Sequence, residues 1–167
     1  MDISIDYSVS LAALLGRFER LPAAVEDELV IGVTEASFLL QREVVELTPT
    51  SGAGTLRDSI GALPVRIDGV RVVGAVASAS LYVQPVELGT KPHHPPLAPL
   101  LDWVQRKLGL RDEEADEAAR KIAWKIAAHG SKGVFMFKRA FEATEAQIAE
   151  IIIAAAQRGL AAEEAGA

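Results

Sequence analysis

The feature that most constrains this chain is one apolar stripe: Leu29, Val33, Ala36, Leu40, Val44 and Leu47 recur at intervals of four, three, four, four and three. Only an α-helix puts residues at that spacing on one face, so the stripe predicts a helix with a single buried side. Pro22 at its start, followed by Glu26, Asp27 and Glu28, suits a helix N-terminus, where carboxylates offset the positive end of the dipole. Thr48-Pro49 ends it near Leu47, because the residue before proline avoids the α region and proline cannot continue the hydrogen-bond ladder. A shorter helix is predicted ahead of it, from about Ser8 to Arg20, with Leu11, Leu14, Leu15 and Phe18 on one side. Thr50 to Gly54 then reads as a loop.

Beyond Ala62 the period changes to two. Val65-Arg66-Ile67 and Val70-Arg71-Val72 flank Asp68-Gly69, a dipeptide suited to a type I′ turn, which predicts a β-hairpin. Leu81 to Val86 is read as a third strand, ending near Pro85. After the proline-rich connector Lys91 to Pro96, the spacing of Leu97, Leu100, Leu101, Val104 and Leu108 predicts a short amphipathic helix closed by Gly109. Asp112 is the expected N-cap of a further helix, acidic at its start and basic toward its end at Gly130. A last helix opens between Val134 and Phe137 and is expected to stop at Gly159, with a mobile tail over 160–167. The expected fold class is α+β: amphipathic helices packed on a small antiparallel sheet, in a single domain over 1–167 with a helical insertion at about 97–130.

Composition narrows the functional classes. A net charge of −6 with no basic stripe argues against a nucleic-acid reader, whose affinity comes from clustered Lys and Arg. The absence of cysteine excludes disulfides, thiolate zinc sites and cysteine nucleophiles, and fits synthesis in a reducing cytoplasm. The opening Met1-Asp2-Ile3-Ser4-Ile5-Asp6 carries acid where a signal peptide needs positive charge, and no apolar run approaches the roughly 20 residues of a membrane span. The expectation is a chain that is neither exported nor membrane-bound.

No catalytic constellation emerges. Adjacent His93 and His94 point to opposite sides of an extended segment and lack partners at metal-ligand spacing, so no metal site is expected. The carboxylates Glu113, Glu114, Asp116 and Glu117 read as the solvated start of a helix. Gly52-Ala53-Gly54 lacks the lysine of a phosphate loop, and Ser51 and Ser59 have no nucleophile elbow around them. No cofactor is implied. Trp103 and Trp124, without interleaved basic residues, read as packing anchors in a core or between subunits.

Thr48-Pro49, then Gly54-Thr55-Leu56-Arg57-Asp58-Ser59-Ile60, then Tyr82 and Glu87-Leu88-Gly89-Thr90, with Val134 to Phe141 opening the last helix, follow one another in an order that resembles the tailed-phage neck family. Its members are described as head-tail joining, tail-completion, minor tail or head-closure proteins. The positions that carry the resemblance are Pro49, Gly54, Leu56, Arg57, Ser59, Tyr82, Glu87, Gly89 and Thr90, with Trp103 added as an anchor in the insertion. The loop between Pro49 and Leu56 is longer than the family's usual link, and the helical stretch from Leu97 to Gly130 is an insertion.

The resemblance implies a non-enzymatic virion subunit at the head-tail junction, made in the host cytoplasm. Its partners would be other copies of itself in a cyclic ring, six by family expectation, together with portal-adjacent connector proteins and tail terminator or tube proteins. DNA would pass through without specific binding, and no membrane is involved. Within the motif an ion pair between Arg57 and Glu87 is expected to fix the turn against the neighbouring strand. The alternative is a small enzyme or ligand-binding module whose pocket lies beneath residues 92–99, with Tyr82, Glu87 and His94 converging on it.

Overall fold

Pro22 accepts the amide of Glu26 at 3.0 Å on its carbonyl, and helix α1 runs from there over Ala23–Leu47. The computed structural model describes residues 22–50 and 55–166, so the predicted helix at Ser8 to Arg20, and Gly54, lie outside the described residues. After α1 come α2 (Thr55–Asp58), β1 (Ile60–Asp68), β2 (Arg71–Ser78), α3 (Val83–Leu88), β3 (Gly89–Thr90), α4 (Leu97–Leu108), α5 (Asp112–His129), β4 (Ser131–Lys132) and α6 (Met136–Gly166). The fold class is α+β, and its sheets are two-stranded ribbons, β1 with β2 and β3 with β4.

The chain divides into two compact units. The first holds α1 up to Val45, residues 60–77 and α6 from Arg139 onward. Of the stripe read from the sequence, Leu29, Val33, Ala36, Leu40 and Val44 are buried, together with Val25 one turn earlier, while Leu47 at its end is half-buried. Val25 and Leu29 pack with Val72 of β2 and with Ile152 and Ala156 of α6, so two helices and one strand share this cluster. Small residues set the approach: a Cβ added at Gly32 would stand 2.5 Å from the Cβ of Ala155, and one at Gly74 would run into Ser37 and Val33. Gln41 holds the edge of β1 with both ends of its amide, donating to the carbonyl of Ile60 at 3.3 Å and accepting from the amide of Ala62 at 3.0 Å.

The second unit comprises 46–59 and 78–138. Its apolar cluster lies where α4 meets α5: Val104, Ala115 and Ala119 are buried, with Leu100, Leu101, Trp103, Leu110, Ala118 and Ile122 packed around them. The stretch at 97–130 is helical as expected, and Gly109 closes α4 in the left-handed conformation.

Four details differ from expectation. Leu81 to Val86 is not a strand; residues 83–88 form α3, and Pro85 fits because it occupies the first turn, where amides have no intrahelical acceptor to lose. The hairpin loop is Gly69-Val70, with positive φ only at glycine, which rules out a type I′ turn because that form needs positive φ at both central residues. Asp112 is the first residue of α5 at φ 49°, and Arg111 takes the N-cap position with no side-chain bond. Finally, α6 does not stop at Gly159 but continues to Gly166. Gly159 is buried, and a Cβ there would stand 2.6 Å from the Cα of Val25, so this glycine serves close helix approach and not termination.

Candidate assembly site

Two of the residues singled out from the sequence, Arg57 and Glu87, each act at the end of a helix. The last carbonyls of α1 have no partner within the helix, and Arg57 supplies one. Its Nε donates to the carbonyl of Thr48 at 2.7 Å and its Nη2 to that of Glu46 at 3.2 Å. A cation there also meets the negative end of the helix dipole. Leu56 is buried beneath the short α2 that carries Arg57. The hydroxyl of Ser59 donates to the carbonyl of Leu56 at 2.7 Å, closing that turn, and lies 2.7 Å from the hydroxyl of Ser78. Thr48 is buried, and its hydroxyl donates to Sδ of Met136 at 3.2 Å. Pro49 beside it is exposed.

Glu87 does the converse job. It is only 3% exposed, and its carboxylate accepts the amides of Phe137 at 3.0 Å and Lys138 at 3.2 Å. Those are the second and third residues of α6, whose first amides are otherwise without acceptors. A carboxylate at a helix start gains from hydrogen bonding and from the dipole together. The main chain repeats the link: Val134 donates to the carbonyl of Val86 at 2.8 Å and Phe135 to that of Glu87 at 3.1 Å. The expected ion pair between Arg57 and Glu87 does not form. Each group is committed to a different helix end.

Gly89 and Thr90 complete the lock. They form β3 and pair with β4, Gly89 opposite Lys132 and Thr90 opposite Ser131. Gly89 sits at φ 78°, and a Cβ on it would run into the carbonyl oxygen of Ser131. Gly133 faces the carbonyl of Glu87, and Gly130, at φ 72°, faces that of Thr90, each too closely for any side chain. Thr90 accepts the amide of Ser131 on its hydroxyl at 3.1 Å. Gly130, Gly133 and Met136 take part in these contacts without having been singled out for them in the sequence; the paired glycines around Ser131-Lys132 were the available sign of a tight backbone approach.

The outer face of this region is apolar. Ser80 accepts the amide of Tyr82 on its hydroxyl at 3.2 Å and leads into α3, and at this corner Leu81 is 93% and Tyr82 68% exposed. Leu88, at the far end of the same short helix, is also exposed. Trp103 is half-buried against the cluster of Val104, Ala115 and Ala119, as expected of a packing anchor. Trp124 is not in the core: it is 79% exposed, because it lies off the face of α5 that carries Ala115 and Ala119, and, against expectation, Arg120, Lys121 and Lys125 lie around it.

Chemically, this arrangement binds backbone amides and carbonyls. Both oxygens of Glu87 are taken by amides, while Tyr82 and His94 are exposed, so the three do not make the pocket that the alternative reading requires. Among the described residues no group of three His, Asp or Glu could hold a metal ion, and no helix is long and apolar enough to cross a membrane.

Residues 12–89 match the HK97-gp10-like family model, described as "Bacteriophage HK97-gp10, putative tail-component". No curated protein and no solved structure matches the chain.

Proposed function

We propose that this chain, whose residues 12–89 match a phage tail-component family model, is a non-enzymatic morphogenesis subunit that closes the junction between capsid connector and tail as a member of a ring. The observation that carries this reading is the use made of the family segment. Its Arg57, Glu87 and Gly89 are consumed in fixing helix ends, while Leu81, Tyr82 and Leu88 stand exposed on the outside. Exposed apolar groups at a rigid corner are what a neighbouring copy can cover, and a head-to-tail contact closes into a ring when its rotation allows.

In this reading the chain meets other copies of itself, in the family's expected six, and touches connector proteins on one side and tail terminator or tube proteins on the other. Pro49, Tyr82 and Thr90 are candidates for those contacts, and Leu56, Ser59 and Trp103 support them from within. The acidic net charge of −6 suits a channel through which DNA passes, because like charge keeps the polymer from adhering.

Deleting the gene from its phage tests the role. Filled heads and separate tails in the lysate, rejoined when the chain is supplied in trans, are the expected result. Joined, infectious particles without the chain would overturn the proposal.

A further inference from the structure

Helix α5 is divided by charge. Asp112, Glu113, Glu114, Asp116 and Glu117 occupy its first half, and Arg120, Lys121, Lys125 and His129 its second. Glu113, Glu117, Arg120, Lys121, Trp124 and Ala128 recur at helical spacing, so acid and base lie along one outward face. Trp124 stands in the basic half, 79% exposed, over an open depression of about 540 Å³ flanked by Arg120, Lys121, Lys125 and His129, with the carboxylate Glu117 at its acidic end. An indole left in water beside several cations, in a chain of net charge −6, is a place where an acidic, partly apolar partner would be held.

We propose that this Trp124 face docks a second copy of the chain, receiving the acidic first turns of the neighbouring α5. The inference rests on the reading of the chain as a self-assembling subunit and names one of its contacts. Charge complementarity selects the occupant. Glu113 and Trp124 are eleven residues apart on one helix, roughly 16 Å along its axis, so the acidic first turn cannot reach the Trp124 face of its own chain. Between copies it can. The ion pairs already present, Arg120 with Asp116 and Lys121 with Glu117, both at 2.7 Å, are solvent-exposed and exchange for intermolecular pairs at small cost.

The test uses the full chain carrying Trp103→Phe, so that Trp124 is the sole indole. As protein concentration rises to roughly 1 mM, enough to populate a millimolar contact, the emission of Trp124 should shift to shorter wavelength as the mass by light scattering increases. Salt at roughly 1 M, which cuts the Debye length to about 3 Å, should reverse both changes. Lys121→Glu with Lys125→Glu should abolish the association, and so should Glu113→Lys with Glu114→Lys. Mixing the two reversed variants should restore it, because each then offers the charge the other lacks, and rescue also shows that both are folded. A monomer throughout with unshifted Trp124 emission, or association indifferent to the reversals, overturns the interface. If association fails while the chain is still found in virions, the interface is wrong and the virion role stands. If it holds while the chain is absent from virions, the reverse applies.

Discussion

Glu87 holds the start of a helix fifty residues away, accepting the amide of Phe137 at 3.0 Å on one carboxylate oxygen and that of Lys138 at 3.2 Å on the other. Arg57 holds the end of α1 in the same manner, on the carbonyls of Thr48 and Glu46. Thr48 in turn reaches Met136, the first residue of α6. Arg57 and Glu87 therefore fix one helix's last turn and another's first, and the contact of Thr48 with Met136 joins the two.

Removing the carboxylate should be costly. Glu87→Gln keeps the shape but turns an NH2 toward one of the two amides, leaving a donor unsatisfied in a buried site, a loss of about 1–3 kcal/mol. Glu87→Ala should lose at least as much, and amide exchange at Phe137 and Lys138 should rise before the rest of α6. A urea midpoint unchanged in both variants would show that the bonds carry no stability.

Exchanging the two charges should rescue nothing. In an Arg57→Glu, Glu87→Arg double variant each group would face the wrong end of a helix dipole, each misplacement being worth about 0.3–1 kcal/mol besides the lost hydrogen bonds. The double variant is expected to be no more stable than the weaker of the two singles. Recovery toward the parent midpoint would mean that the two side chains pair directly.

The glycines separate steric from conformational demands. Gly89→Ala meets both a positive φ and the backbone at Ser131 and Gly133, and should cost about 3 kcal/mol or more, beyond the 1–2 kcal/mol of the left-handed conformation alone. Gly109→Ala has the same sign of φ but open space around it, and should cost only that smaller amount. Thermal melts of the two variants compare them directly, and equal losses would contradict the close approach at Gly89.

Gly159 offers a test of opposite intuition. Within a helix alanine is favoured over glycine by about 1 kcal/mol, so Gly159→Ala would stabilise α6 in isolation. Against Val25 the added methyl overpacks, and a net loss of about 1–3 kcal/mol is expected. A variant more stable than the parent would show that the two helices separate easily.

Much of this was legible in the sequence because it is local. The stripe from Leu29 to Val44 is buried as its period requires, and the hairpin and the helices of the insertion follow from spacing and turn residues. What could not be read depends on partners far along the chain. The acceptors of Arg57 are backbone atoms nine and eleven residues away, and those bound by Glu87 lie fifty and fifty-one away. No side-chain pattern marks a carbonyl or an amide. Leu81 to Val86 looked extended because apolar residues flank a proline, yet in a six-residue helix the first turn tolerates Pro85. Gly159 looked like a stop because a helix commonly ends at glycine, and only the backbone of Val25 beside it gives the other reason for its lack of a side chain.

Binding to duplex DNA should be absent at physiological salt, since a chain of net charge −6 has no surplus of cations to release counterions from phosphates. A gel-shift with the purified chain is expected to show no retarded band. A submicromolar Kd would contradict a channel through which DNA slides freely.

Imaging purified virions of the encoding phage, with the polypeptide content of the same particles read by mass spectrometry, bears most directly on the whole account. The expected result is a closed ring of this chain between capsid connector and tail, with the corner at Leu81 and Tyr82 covered by a neighbouring subunit. Intact, infectious particles that lack the polypeptide would contradict it.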